Sequence, residues 1–372
     1  MNNQSIPTYD LDLRLGAKER LAQVIQAEAE TARGVLAEIR AEFKELPKCV
    51  SDAFGVWYVH HGGLYKDELL EWSKGVDISF GELVMANCSY ELSHLAHKWS
   101  VAGLLKRIPF GCTAGVIEAP GLGMVHLRNL DWPIRSMGAA TRIFRYRGQS
   151  HESVAVGFPA YVGVLSGMVP GGYSASINWA PPSSMPDSHW GPAFLLRDVL
   201  ETCPTYQQAV ARLRSERLST SVFFTVCGVL PGEGCIIERT AKGHALRPLV
   251  EGAVVQTNHH MAEEFLDLGK FDADDDLRLL IQSSVERQGF MLRQLQRARR
   301  EGGDLLRLLD CLSAPPVCNG ETVQRIAFHP ARGEMLVECL DGDQDREPCW
   351  RRSFWQSGSI QPNEPTTKGR ES

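Results

Sequence analysis

Between residues 16 and 46 the chain reads GAKERLAQVIQAEAETARGVLAEIRAEFKEL, and its apolar residues Leu21, Val24, Ile25, Ala29, Ala32, Val35, Leu36, Ile39 and Phe43 recur mostly at steps of three and four. That spacing follows the 3.6-residue turn and predicts an amphipathic helix, weakest near Gly34. A second helical pattern covers 81–107 and is stopped by Pro109, because the residue before a proline is pushed out of helical geometry. From Cys112 the period shortens. TAGVIEA, MVHLRNL, TRIFRYR, SVAVGF, YVGVLSG and GYSASIN are short, rich in β-formers and separated by Gly or Pro turns, as strands are. Helices are predicted at 192–202 and 205–216, the second opening on a capping box of Thr205 and Gln208. VFFTVCGVL, GCIIERT and AVVQTN resume the strand pattern, a long helix follows at 274–300, and TVQRIAF and EMLVECL flank the turn HPARG. The polar, proline-containing end after about Trp355 is predicted to be disordered.

The order is helices, a meander of strands, helices, then strands, with no internal repeat. It predicts an α+β fold in which two sheets pack face to face with helices outside. Gly121-Leu122-Gly123 lacks the third glycine and the following helix of a dinucleotide fingerprint, so it reads as a hairpin turn.

Composition narrows the class of function. The chain has 372 residues, 43% hydrophobic and 23% charged, enough for a sizeable core. Its net charge of −6 argues against a general nucleic-acid binder, which needs a basic face to displace counterions. Neither a signal peptide nor an apolar run of spanning length is evident, so the expected location is cytoplasmic. The ten cysteines include no Cys-x-x-Cys pair, and they are expected to be free thiols rather than a disulfide or zinc framework. No metal or other cofactor is expected. His94 and His97 lack a third ligand, and His60-His61 and His259-His260 read as surface or packed side chains.

The candidate chemistry lies at FGCTAG. A hairpin through Pro120-Gly121-Leu122-Gly123 brings the second strand back beside the first, carrying Arg128 and Asp131 toward Cys112. A guanidinium beside a thiol favours the nucleophilic thiolate. Two readings of these residues stay open: Cys112 as a reactive thiol or a core thiol, and Arg128 with Asp131 as its support or as a plain salt bridge.

Gly111-Cys112-Thr113 followed by Arg128-Asn129-Leu130-Asp131 resembles the acid ceramidase and N-acylethanolamine acid amidase family. These are cysteine N-terminal-nucleophile hydrolases, related to bile-salt hydrolases, penicillin V acylases and isopenicillin N acyltransferase. The resemblance extends through VDISFGELVMANCSYEL, YVGVLSGMVPGGYSASIN, YQQAVARL, VFFTVCGVLPGEGCIIERT, VVQTNHH and DDDLR, in order, over about residues 70 to 340. Each motif is weak alone; their order is specific.

The resemblance implies a four-layer αββα sandwich with an N-terminal helical segment. Residues 1–111 would be the N-terminal helical segment, an α chain or a propeptide. Residues 112–345 would be the catalytic core, and 346–372 a partly disordered tail. It implies cleavage of the Gly111–Cys112 bond by the Cys112 thiol, leaving a heterodimer of the two fragments. The new α-amino group of Cys112, with an ordinary pKa near 8, would serve as general base. Arg128 would hold the thiolate, Asp131 the α-ammonium, and Arg278 would support the site from the long helix. Asn258 would donate its amide to the oxyanion, a contact typically worth about 3 kcal/mol. The implied substrate is a small-molecule N-acyl amide, hydrolysed through an acyl-enzyme thioester. Acyl transfer to an amine and a non-catalytic, uncut binding protein are the alternatives.

The chain departs from this pattern in places. Ala114 replaces a serine. Ile177-Asn178-Trp179-Ala180-Pro181-Pro182 stands where an acidic-Arg pair is usual, which points to a different acyl or head-group pocket. His259 replaces an aromatic residue, and DDDLR offers one arginine rather than two. SHLAHKWSVAGLLKRIPFG is an added segment whose stretch 95–108 reads as a plug over the site, a membrane-touching helix or an extra core helix.

Overall fold

The computed structural model describes residues 5–42, 47–98, 111–134, 136–184, 186–269, 275–341 and 349–358. After a short first strand, β1 (Thr8–Asp12), five helices lead the chain: α1 (Ala17–Glu42), α2 (Lys48–His60), α3 (Lys66–Val76), α4 (Phe80–Asn87) and α5 (Ser89–Lys98). The hairpin β2 (Gly111–Ala119) and β3 (Gly123–Asp131) follows, then the single turn α6 (Ser136–Ala139). Four strands come next: β4 (Arg142–Arg147), β5 (Glu152–Gly157), β6 (Ser166–Val169) and β7 (Tyr173–Trp179). Helices α7 (Pro192–Thr202) and α8 (Tyr206–Ser215) precede β8 (Val222–Cys227), β9 (Gly234–Arg239), β10 (His244–Pro248) and β11 (Ala253–Gln256). The last elements are α9 (Asp275–Glu301), α10 (Leu305–Leu309), β12 (Thr322–His329), β13 (Glu334–Asp341) and β14 (Cys349–Gln356).

These strands form two sheets, ordered β1-β4-β5-β6-β7-β8-β9-β10 and β11-β2-β3-β12-β13-β14. All pairings are antiparallel except β1 with β4. The facing surfaces of the sheets enclose Ile143, Val154, Val156 and Met168 against Ile326, Phe328 and Val337. They also enclose Val116 and Met124 near Cys227 and Ile236. Helices α9 and α10 cover the outer face of the smaller sheet through Met291, Leu295, Leu308 and Leu309. Helices α1, α7 and α8 cover the larger sheet. The architecture is the αββα sandwich that the resemblance implied.

Several elements differ from the sequence pattern. The helix expected over 81–107 breaks at Cys88 into α4 and α5. A capping box of Ser79 and Glu82 starts α4, and Asn87 near its end donates to Ala160 O at 2.9 Å, tying that turn to the sandwich. The rest of that segment, with Trp99, Leu104, Leu105 and Ile108, lies outside the described residues. Helices α2 and α3 were not expected, nor was β1, whose partner β4 is far away in sequence. Cys349–Gln356, assigned to the tail, is the edge strand of the smaller sheet, with Trp355 buried.

The N-terminal helices are fastened to the sandwich by buried charge. Glu68 on α3 accepts hydrogen bonds from Arg197 of α7 at 2.6 and 2.7 Å and from Arg20 of α1 at 2.6 Å. Burial pushes its carboxyl up, but the two guanidinium groups outweigh that and hold it below the usual range. Removing one member of a buried cluster leaves its partners desolvated and unpaired. Glu68→Leu should therefore lower the unfolding free energy in urea by about 3 kcal/mol.

Candidate active site

The hairpin β2–β3 builds the site. Its turn uses Gly121 (φ 78) and Gly123 (φ 86), both in the left-handed region that glycine enters without a Cβ clash. The resulting register sets Gly111 opposite Asp131, Cys112 opposite Leu130 and Ala114 opposite Arg128. Side chains alternate along a strand, so the hairpin sorts its polar residues onto two faces. Cys112, Arg128 and Leu130 face the other sheet. Gly111, Thr113, Asn129 and Asp131 face α9 and the segment before β12.

This alternation resolves the two readings of Arg128 and Asp131. Three positions apart on one strand, they point to opposite faces. Arg128 donates to Ile177 O at 2.9 Å and to the Cys112 Sγ at 3.8 Å. Asp131 accepts from Thr322 Oγ1 at 2.7 Å and Asn319 Nδ2 at 3.1 Å. Its carboxylate also lies against Gly111: a Cβ on that glycine would meet Asp131 Cβ and Oδ2 at 2.9 Å. A glycine is therefore required before the cysteine for a steric reason.

The two faces meet at the backbone of Cys112. Its N–H donates to Asn258 Oδ1 at 2.9 Å, and its carbonyl accepts from Arg287 at 2.5 Å. Arg287 also donates to Asn258 Oδ1 at 2.9 Å and Thr113 Oγ1 at 3.1 Å. Asn258 arrives here because β11 runs antiparallel to β2 as far as the pair Gln256–Ala114, and two more residues reach the level of Cys112. Its side-chain amide donates to Trp179 O at 2.9 Å, and its N–H donates to Ser284 Oγ of α9 at 2.7 Å.

Every charged group here is buried. Burial pushes the Cys112 thiol up, against the pull of Arg128, so it keeps its proton at neutral pH. Burial likewise pushes the Asp131 carboxyl up, opposed first by Arg287. The same desolvation draws Arg128 and Arg287 down. His259, on Ser284 Oγ at 2.7 Å, is pushed down to about 4 by burial and is neutral, while His260 pairs with Glu238 at 3.2 Å. Neither histidine is placed as a base for Cys112. Among the described residues no group of three or more His, Cys, Asp or Glu side chains could hold a metal ion.

The thiol opens on a narrow cavity of about 20 Å³ lined by Tyr90, Arg128, Trp132, Tyr161 and Trp179, room for about one water. On the opposite face a groove of about 500 Å³ is lined by Gly111, Asp131, Arg287, Asn319 and Glu321. The peptide between Gly111 and Cys112 lies between the two. A thiol, an immobilised backbone amide and buried donors gathered at one peptide bond are the parts of acyl-transfer chemistry.

Four of the sequence-selected side chains, Cys112, Arg128, Asp131 and Asn258, come together with Gly111. Arg278 does not. It is exposed on the first turns of α9, whereas the arginine at the site is Arg287, nine residues or roughly 13 Å further along the helix. A signal for Arg287 was present. It falls on the buried stripe Ser284, Arg287, Met291, Leu295 and Ala298, where an arginine needs a buried partner. Ser284, Asn319 and Thr322 carried no such signal, because each is a common polar residue that acquires its role by packing.

The chain forms an αββα sandwich with Cys112 at the head of a central strand. It is 26% identical over 365 residues to the N-acylethanolamine-hydrolyzing acid amidase of Caenorhabditis elegans, spanning 93% of this chain and 92% of the relative. It is 26% identical over 296 residues to the acid ceramidase of Heterocephalus glaber, spanning 70% and 66% of the two chains. The solved structure of the Caenorhabditis elegans N-acylethanolamine-hydrolyzing acid amidase ortholog aligns with a TM-score of 0.46 at 24% identity, over 59% of this chain and 93% of that one. No family model matches the chain.

The two arginines of α9 give a direct test of the geometry. Arg287→Leu strips donors from Asn258 and from the Cys112 carbonyl and should cost about 3 kcal/mol in urea unfolding. Arg278→Leu, at an exposed position where a solvent-screened contact is worth at most about 1 kcal/mol, should cost less.

Proposed function

We propose that this protein is a self-processing cysteine amidase that hydrolyses the C–N bond of a small-molecule N-acyl amide. The observation that carries the reading is the convergence at Cys112: Arg128 on its sulfur, Asn258 on its nitrogen and Arg287 on its carbonyl. The acid amidase and acid ceramidase relatives support the amide as the bond attacked.

In the first step the Cys112 sulfur adds to the Gly111 carbonyl. The Gly111–Cys112 C–N bond breaks, the nitrogen takes up the thiol proton, and a thioester links Gly111 to the sulfur. Water hydrolyses the thioester, leaving a carboxylate on Gly111 and a free amine on Cys112. Asp131 lies against Gly111, so departure of that residue turns the carboxylate toward the new α-ammonium.

In turnover, the α-amine removes the thiol proton with no histidine required, since an amine with a pKa near 8 exchanges protons at neutral pH. The thiolate, stabilised by Arg128, attacks the acyl carbonyl of the substrate. Asn258, released from Trp179 O, donates its amide to the developing oxyanion. The amine leaves with the proton from the Cys112 ammonium, and water then releases the acid from the thioester.

Intact-mass analysis of the purified protein should give two fragments, the second beginning at Cys112. Cys112→Ala should leave one uncut chain without amidase activity. A single uncut chain that hydrolyses amides, or activity retained in Cys112→Ala, would sink the assignment. Asn258→Ala, in chains that are cut, should lower kcat by about a hundredfold to a thousandfold, the usual loss for one oxyanion donor. Product analysis with and without an added primary amine separates hydrolysis from acyl transfer.

A further inference from the structure

A cavity of about 670 Å³ lies apart from the one that holds the thiol. It lies between α2, the α4–α5 break and the segment leading into α7. Phe54, Trp57, Tyr58, Trp190, Phe194 and Leu92 form most of its apolar wall. It shares no lining residue with the cavity at Cys112. Two carboxyl groups, Glu91 and Asp187, lie in its lining.

Glu91 is anomalous. Among the described residues no basic side chain or side-chain donor pairs with it; its carboxyl is bonded only to its own backbone N–H. It packs so tightly on Gly191 that a Cβ there would meet Glu91 Oε1 at 2.1 Å. Gly191 is the N-cap of α7, and Glu91 itself is in the first turn of α5, so two helix N-termini favour its ionised form. Burial works the other way and pushes its carboxyl up to about 7. The titratable groups facing it are Tyr58 from α2, Cys88 at the end of α4, Tyr90 of α5 and Tyr161, none of them cationic. Asp187 and His189 line the same cavity but pair with each other at 2.6 Å, and His61, also in the lining, has its Nδ1 on Trp57 O at 2.8 Å.

A purely apolar occupant would complete the desolvation of this carboxylate and leave it unpaired, which disfavours its binding. A cation would pair with it, and the surrounding indole and phenyl faces attract a positive head as well. We propose that this cavity binds a lipophilic ammonium, with its charged head against Glu91 and its apolar body along Trp57, Phe194 and Leu92. The site stands independently of the acyl chemistry at Cys112.

The test is calorimetric binding of n-octylammonium and n-octanol, both below any micelle-forming concentration, to the full chain. The ammonium should bind about tenfold more tightly than the alcohol, a difference of about 1.4 kcal/mol. Glu91→Gln should erase that preference while leaving octanol affinity unchanged, which also reports that the cavity is intact. Trp190→Leu should weaken both probes, and Cys112→Ala neither. In the unmodified protein the preference should grow as pH rises through neutrality, because a carboxyl near 7 is neutral below that value and charged above it. Equal affinity for the two probes, a preference that survives Glu91→Gln, or a preference flat across neutrality would overturn the proposal.

Discussion

The register of one hairpin governs the site. Pairing Gly111 with Asp131 and Ala114 with Arg128 places a guanidinium on the thiol's face of the strand and a carboxylate on the other. A slip of one residue would exchange these faces, because side chains alternate with period two. It would put Asp131 between the sheets and Arg128 under α9. The tight turn at Gly121 and Gly123 and the apolar residues on both faces hold the register, with Val116 and Met124 on one side and Ile117, Val125 and Leu127 on the other.

Around that hairpin the protein buries two arginines, an aspartate and a cysteine within one cluster. Burial disfavours every charged form there, so each group depends on the others. Arg128 and Arg287 lie on opposite faces of β2 and are joined through Cys112 itself, by its sulfur and its carbonyl. Asn258 completes the cluster: its side-chain oxygen accepts from Cys112 and Arg287, and its nitrogen donates to Trp179 O. Such a network is rigid because each loss would strand a buried partner.

The N-terminal helices do more than cover the larger sheet. The break at Cys88 divides their contribution between two cavities. Ser89 and Tyr90 line the narrow one at the thiol, and Cys88, Glu91 and Leu92 line the wide aromatic one. Glu68, Arg20 and Arg197 tie α3 and α1 to α7.

Much was legible in the sequence. The change of period at Cys112, the glycine turn after Pro120 and the long helix near 274–300 are local signals, written in neighbouring residues, and each corresponds to an element of the fold. The motifs around Cys112, Arg128, Asp131 and Asn258 likewise brought together residues that the structure gathers. What needed the tertiary structure were relations between distant segments. The edge strand 349–356 has its partner at β13, beyond a polar stretch that reads as tail. The arginine of α9 that reaches Cys112 is chosen by which helix face meets β2, and that face presents Arg287 rather than Arg278. Glu91 reads as an ordinary helical acid until α2, α5 and α7 close aromatic walls around it. Local periodicity determines what each segment becomes, whereas burial and pairing, which depend on which surfaces meet, decide which of its polar residues acquire a chemical task.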